Sequence, residues 1–459
     1  MDTALFNDPV FRNFASERPI AVAAQLVLRR LLDPETIDQL FTEHAVEQYE
    51  RSLLFSSLTS LVSAVVLGKQ ASINAGYKKM RDKFDVSLYA VYQKLQRVEP
   101  RTIQELVRHS YRQTVDVRQE FGGVARHDLS GYATRILDGN HLSGTEHRLK
   151  ETRTTTAAPL PGKSLVVYDP RYDAVADIFP IEDGHAQERS ALDQVIETLR
   201  AKQLWIADRN FCTLMFMYSI AIKCGVFVIR HHSQLHGIEQ GKLRKIGESD
   251  TGVIYENRLQ LPTFDGKTIT VRRVVVHLFE ATRDGDTEVV LLTNLPAEDA
   301  DAIAVSNLYR TRWKIETAFG HMTLAMNCEI KPLCYPRAAL FCFANALVAY
   351  NALSIVKGMI AIEHGRDAGE SMSHYYMALE ICETTDGMLI ALPEARWSEV
   401  HAMPVSIFAS ELRTISKSIR LATYRKSVRG PKKTPPKKNN NKRSVHVSTA
   451  KILAERKQK

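Results

Sequence analysis

Leu308-Tyr-Arg-Thr-Arg-Trp-Lys-Ile-Glu-Thr-Ala-Phe-Gly-His-Met-Thr323 reads as one helix carrying polar chemistry and core packing on adjoining stripes. At about 100° per residue, Tyr309, Arg312, Glu316 and Thr323 share an arc of roughly 60°. Leu308, Ile315, Phe319, Met322 and Met326 fall on the arc beside it, so burying that stripe holds Glu316 at the margin of whatever the helix packs on. Taken alone, the pattern also describes a surface helix with an ordinary i,i+4 pair between Arg312 and Glu316, the commoner case. The residues upstream decide between the two.

From Tyr132 the sequence takes the period of strands. Tyr132–Leu137, Ser164–Tyr168 and Val175–Phe179 are short apolar or alternating runs bounded by Gly, Pro and Asp. A helical pattern over Ala186–Lys202 leads into a buried strand at Leu204–Asp208, and a helix over Thr213–Lys223 leads into Val226–Arg230. Three strands, a helix, a strand, a helix and a strand predict an α/β domain with a mixed sheet, the order of ribonuclease-H-like folds. Gly252–Leu259, Thr268–Glu280 and Glu288–Thr293 then read as strands joined by Asp265-Gly266 and Asp284-Gly285 turns, an all-β insertion within the α/β domain.

Two acids stand at strand ends in this scheme, Asp138 in Ile136-Leu-Asp-Gly-Asn-His141 and Asp208 in Ile206-Ala-Asp-Arg-Asn210. Strand ends of an open α/β sheet are where ligands collect, so both could meet Glu316 from a covering helix. Three carboxylates without Cys or His suit Mg²⁺, with Mn²⁺ as a substitute, rather than zinc. Two such ions about 3.5–4 Å apart activate an attacking oxygen and stabilise a leaving one in phosphoryl displacement.

Residues 1–125 read as an all-helical N-terminal domain, with Asp33-Pro34 as N-cap and first-turn proline ahead of Glu35–His44. Lys69–Arg112 holds ten Lys/Arg against four Asp/Glu. The break at Phe84-Asp85 predicts either a helix-turn-helix, with Ser87–Arg97 reading DNA bases, or a plain helical bundle with a basic face. In the first case Arg97 joins the base-reading helix while Lys78, Lys79 and Arg81 hold phosphates. Residues 358–423 return to helix. The chain carries +9, yet 13 Lys/Arg against the single Glu455 give residues 424–459 a surplus of +12, which leaves −3 for residues 1–423. That Pro-, Asn- and Lys-rich tail is expected to be disordered and to contact nucleic acid.

Ser52–Gly68 and Ala338–Val356 are uncharged runs close to membrane-span length, but their Ser, Thr and Asn content favours buried core helices. The six cysteines show no zinc-ligand spacing and read as reduced core residues, and no secretory pattern opens the chain. A cytoplasmic protein without membrane partners is expected.

Tyr309, Arg312 and Glu316 stand in the register Y-x2-R-x3-E, and with Asp138-Gly-Asn-His-Leu142, Pro161-Gly-Lys-Ser-Leu-Val-Val-Tyr-Asp169 and Ala207-Asp-Arg-Asn210 the chain resembles the DDE transposases of bacterial insertion sequences, specifically the insertion sequence 4 branch. The resemblance covers residues 130 to 356 within an expected catalytic domain of 126–357. It implies Asp138, Asp208 and Glu316 as catalytic metal ligands, and Tyr309 and Arg312 as contacts to phosphates of the element ends. It also implies double-stranded DNA as partner and a homodimer or larger assembly, in a prokaryotic nucleoid. Two departures stand out. Thr323 replaces the last lysine of the family signature, leaving Lys314 or Lys331 to supply that contact, and the insertion at 231–296 lacks the Trp with which some relatives stack a flipped base.

Overall fold

The computed structural model describes residues 4–458, apart from 49–51, 123–127, 263–265, 267, 283–284, 428–429 and 431–446. Its centre is a nine-stranded sheet: β1 (Ala133–His141), β2 (Lys163–Asp169), β3 (Ala174–Ile181), β4 (Gln203–Ala207), β5 (Val226–Arg230), β6 (Ile238–Ser249), β7 (Gly252–Pro262), β8 (Thr268–Leu278) and β9 (Glu288–Thr293), in spatial order 3-2-1-4-5-9-8-7-6. Only the β1–β4 and β4–β5 neighbours are parallel. The five strands read first therefore form the mixed sheet of a ribonuclease-H-like core, behind an all-α N-terminal region.

The insertion is all β, and it continues this sheet through the β5–β9 pairing instead of folding apart. Gly266 and Gly285 take φ of +75° and +89°, the left-handed conformation an Asp-Gly hairpin turn requires; Asp265 and Asp284 lie outside the described residues. The strand β6 has no counterpart among the expected elements. Its Ile-Glu-Gln-Gly-Lys-Leu-Arg-Lys-Ile-Gly-Glu-Ser sequence buries nothing, so backbone pairing to β7 forms it without a hydrophobic pattern. The long helix expected over Ala186–Lys202 is shorter, a 3₁₀ turn at Glu188–Ala191 followed by the helix Leu192–Thr198.

Alternation along the strands splits the core in two. Leu137, Trp205, Ala207, Phe227 and Ile229 pack with the helices Leu192–Thr198 and Leu214–Ile222 on one face. Ile136, Ile206 and Val228 face the other way, toward a large all-helical layer. At its centre runs the helix Pro336–His364, long and apolar enough to cross a membrane, with its most apolar window wholly buried in protein. A helix apolar on all sides is stable in water only when enclosed. Phe55–Val66 is likewise a core helix.

The N-terminal helices belong to the same core, since Ile20, Phe41, Phe55 and Leu106 cluster with Phe341, Leu347 and Ile355 of the central helix. The expected boundary at residue 125 thus separates segments of sequence but not hydrophobic cores. Asp33 does cap its helix, accepting from the Thr36 amide at 3.1 Å. The tail departs from its expected disorder at its far end: Ser448 pairs with Leu160, and Thr449–Gln458 is helical. The basic run Pro431–Arg443 lies outside the described residues. Four cysteines are buried as expected, but Cys224, in a left-handed turn at φ +55°, is exposed.

Polar residues inside the central helix tie the layers together. Asn351, fully buried, accepts from the Val175 amide at 2.7 Å and donates to the Val175 carbonyl and to Ser110 Oγ, both at 2.9 Å. Replacing Asn351 with Leu would take this partner from the buried Val175 amide and carbonyl on β3, while Ser110 Oγ would keep only its bond to the Val107 carbonyl at 2.8 Å. We expect Asn351→Leu to lower unfolding stability by about 3 kcal/mol, read as a drop in urea midpoint at unchanged slope.

Candidate active site

Between β1 and β4 the strand order changes direction: from β1 the chain adds β2 and β3 on one side, then β4 and β5 on the other. Such a switch point leaves a crevice at the carboxyl ends of the two parallel strands. Their register ends at Leu137 opposite Ala207, so the next residues on each strand are Asp138 and Asp208. Both follow the parity of Ile136 and Ile206 and face the helical layer. Asp138 Oδ1 accepts from the Gly139 amide at 2.9 Å, and Asp208 caps the turn Arg209–Phe211 through the Arg209 amide at 2.6 Å.

The stretch Leu308–Thr323 covers this crevice as two helices instead of the single one expected: Ala302–Arg310 ends, Thr311 and Arg312 form a turn, and Trp313–Ala325 begins. No glycine or proline marks the break. At the break the Thr311 amide and hydroxyl both donate to the Leu308 carbonyl, at 3.0 and 2.7 Å. Leu308, Ile315 and Met322 still form the buried stripe, with Phe319 partly buried beside it.

Arg312, at the break, joins the acids. Its Nη1 lies 2.9 Å from Asp138 Oδ2 and its Nη2 2.7 Å from Glu316 Oε1. Its side chain is only 9% exposed, and its Nε is buried with no partner. Burial would discharge the guanidinium, but Tyr309, Asp138, Glu316 and Asp208 together hold it charged. Burial likewise pushes the Tyr309 hydroxyl up to about 12. The indole of Trp313, 60% exposed, lies 5.2 Å from the guanidinium carbon.

Asp138 is pushed up to about 7: burial is the main cause, Arg312 and the Gly139 amide oppose it, and Glu316 and Asp208 add to it. Asp138, Glu316 and Asp208 gather around the single Arg312 guanidinium, so by its charges this site is short of positive charge. That deficit and the all-oxygen donor set fit a hard divalent cation. In the arrangement described, the guanidinium lies between Asp138 and Glu316, and among the described residues no group of three acids, His or Cys is close enough to hold an ion.

The sign of the pH effect follows. An Asp near 7 when folded and near 3.9 when unfolded binds its proton more tightly in the folded state, so its stabilising effect is present at acid pH and lost as pH rises to 7. In metal-free protein we expect wild type to lose up to about 4 kcal/mol relative to Asp138→Asn between pH 4 and pH 8, measured by urea unfolding.

The other expected contacts are dispersed. Lys314 pairs with Asp128 at 3.2 Å. Lys331 is exposed on the loop after the Glu316 helix, beside residues 142–146 that follow β1. Thr323 is exposed and bonds back to the Phe319 carbonyl. Lys78, Lys79, Arg81 and Arg97 are exposed in the N-terminal region, with Lys79 paired to Asp386. The helices expected to form a helix-turn-helix are present as Ile73–Lys79 and Leu88–Leu95, with a 3₁₀ turn at Arg81–Lys83 between them.

Sequence reasoning passed over Glu188, His141, Asn210 and Arg230. Arg230 ends β5 at the same end of the sheet, paired with Asp286 at 2.6 Å. Glu188 binds His141 and Asn210, each within three residues of a site aspartate. Their place in the quoted Asp-Gly-Asn-His and Ala-Asp-Arg-Asn runs was the available signal; Glu188 itself sits in no such run.

Residues 130–352 match the family described as Transposase DDE domain. The InsL protein of insertion sequence element IS186A from Escherichia coli strain K12 is 25% identical over 274 residues, covering 52% of this chain and 69% of that protein. The transposase of insertion sequence element IS421 from Escherichia coli is also 25% identical, covering 52% of this chain and 68% of its own. Among solved structures, the synaptic complex of piggyBac transposase with hairpin DNA aligns over 88% of this chain and 86% of its own, at 10% identity and a TM-score of 0.36. The residues that match the DDE transposase domain, 130–352, hold both aspartates, Arg312 and Glu316.

Proposed function

We propose that this protein is a DNA transposase of the insertion sequence 4 branch, which binds the ends of its element, cleaves them in a Mg²⁺-dependent reaction and joins the freed 3′-hydroxyl to target DNA. The observation that carries this reading is the meeting of Asp138, Arg312 and Glu316 beside Asp208 at the switch point of a DDE-type domain. Asp138, Asp208 and Glu316 would hold two divalent ions, Mg²⁺ or Mn²⁺, whose chemistry is activation of the attacking oxygen and neutralisation of the leaving one. Arg312 and Tyr309 then turn toward DNA phosphates, with Lys314 and Lys331 flanking them. The active form is a homodimer or larger assembly on double-stranded DNA, because both ends must be cut together, and it works in a prokaryotic cytoplasm at the nucleoid.

In the same proposal residues 1–125 read the ends, 126–357 catalyse, 358–423 support the catalytic layer and 424–459 add sequence-independent attraction to DNA. Tyr89 is 73% exposed on the candidate recognition helix, next to exposed Ser87 and followed by exposed Arg97. Substituting Tyr89, Gln93 or Arg97 with Ala is expected to weaken preference for end over random duplex by about 1–3 kcal/mol per good contact. Changing Lys78 and Lys79 should weaken both duplexes alike; competition binding distinguishes the two classes.

The reaction itself is tested with a duplex bearing the inverted repeats that a transposase gene is expected to have at its flanks, a plasmid target and Mg²⁺. A transposase yields joined product, a nuclease on the same scaffold only cut ends, and a transposase-derived regulator neither.

A further inference from the structure

The β1–β4 ladder stops at Leu137 and Ala207, one residue before the aspartates. Beyond that point β1 continues on β2, whereas the chain after β4 turns away into Arg209–Phe211. The ladder therefore stops one residue short of Asp138 and Asp208, and no backbone pairing joins those two residues themselves. Glu188 spans the gap from the opposite face of the sheet, where its 3₁₀ turn leads into the helix Leu192–Thr198.

Its carboxylate accepts from Asn210 Nδ2 at 2.6 Å and lies 3.2 Å from His141 Nε2. It also rests on the α-carbon of Gly139, where an added Cβ would overlap both carboxylate oxygens. Hydrogen bonding to His141, followed by the His141 charge and by Asn210, holds Glu188 below the usual carboxylate range against its burial. Glu188 thus touches the residues one and three after Asp138 and the residue two after Asp208. The Lys163 ammonium fixes the approach of this segment by donating to the Ala186 carbonyl at 2.5 Å.

We propose that Glu188 is a positioning residue that sets the spacing of Asp138 and Asp208 by tying Gly139 and His141 to Asn210. The role rests on the reading of the two aspartates as ion-holding partners. Glycine at 139 is then required for space, since a methyl group there displaces the end of a flexible side chain and leaves the backbone in place.

The test compares Glu188→Ala, Glu188→Gln, Gly139→Ala and the double variant Gly139→Ala/Glu188→Ala in the full chain. Without metal, hydrogen exchange at Phe211 and Cys212, whose amides close the turn after Asp208, reads the tie directly. Protection there should fall in Glu188→Ala and Gly139→Ala, be largely retained in Glu188→Gln, and be unchanged in the central helix. With Mn²⁺ alone as probe, affinity should fall about 10–100-fold in the first two, the range for residues that orient metal ligands. The double variant should be no worse than Glu188→Ala, because the added methyl finds the space empty. Wild-type protection in Glu188→Ala, or additive losses in the double variant, would overturn the proposal. Loss of protection without any Mn²⁺ binding by wild type would support the tie and count instead against the metal-dependent function.

Discussion

Glu316→Gln should reduce metal-dependent DNA cleavage by at least about three orders of magnitude while leaving binding to the same duplex within about twofold. The amide keeps the shape of the side chain but removes one of the three negative charges proposed to hold the divalent ions, and a neutral amide oxygen is a weaker donor to a hard cation. The Glu316 side chain is 37% exposed at the edge of the crevice, and the amide oxygen of the variant can still accept from the buried Arg312 guanidinium, which keeps Asp138 as its charged partner, so the fold should be retained. DNA affinity comes mostly from phosphate contacts by basic residues elsewhere, which the variant retains. Asp138→Asn and Asp208→Asn should behave alike in cleavage. Asp138→Asn should in addition be more stable than wild type near neutral pH, because it removes a carboxylate that burial disfavours.

Arg312→Gln should produce the second large effect, in opposite directions for stability and for metal binding. Arg312 is the cation of a largely buried three-membered pair with Asp138 and Glu316, and removing one partner of such a pair costs about 3–5 kcal/mol. At acid pH the loss should be smaller, since Asp138 can take up a proton in place of its partner. In the metal-free protein the guanidinium stands between two of the proposed ion ligands, so Mn²⁺ must compete with it. The variant should therefore bind Mn²⁺ more tightly than wild type, and thermal unfolding should show it. Saturation at about 100 times the dissociation constant adds about 2.7 kcal/mol. Equal stabilisation of both proteins by Mn²⁺ would show that Arg312 does not occupy the ion-holding position. Cleavage by Arg312→Gln should still be poor, because the phosphate contact proposed for this residue is lost.

Much of this site was legible because its parts obey local rules. Asp138 and Asp208 read as acids ending apolar runs, whereas the strand order that sets β1 beside β4 and brings both to the switch point is given by the structure. Glu316 reads from the polar arc beside Leu308, Ile315 and Met322; of that arc Arg312 and Glu316 remain paired although the helix breaks at Thr311, while Thr323 is exposed and bonds back to the Phe319 carbonyl. That break was hidden because the local mark it carries is a threonine hydrogen-bonding back to Leu308, a bond equally available within a continuous helix.

The features missed are those that depend on distant partners. β6 buries no side chain and is held by backbone pairing and a few polar contacts to β7 and β8, so no hydrophobic pattern announces it. The N-terminal helices looked like a separate domain because their pattern is complete, but the surface they bury is that of Pro336–His364, more than two hundred residues away. An isolated N-terminal fragment would expose that surface to water. Glu188 was missed for the same reason: its meaning comes from the absent side chain of Gly139 and from the residues after each aspartate.

The central claim is that Asp138, Asp208 and Glu316 form one metal-dependent centre for DNA cleavage and joining. The most direct measurement is product analysis by sequencing gel for wild type and the three carboxamide variants, with end duplex, plasmid target and Mg²⁺. The account predicts nicked ends and joined product from wild type alone, and neither product from any of the three variants at equal DNA binding. Wild-type levels of cleavage from any one variant would contradict it.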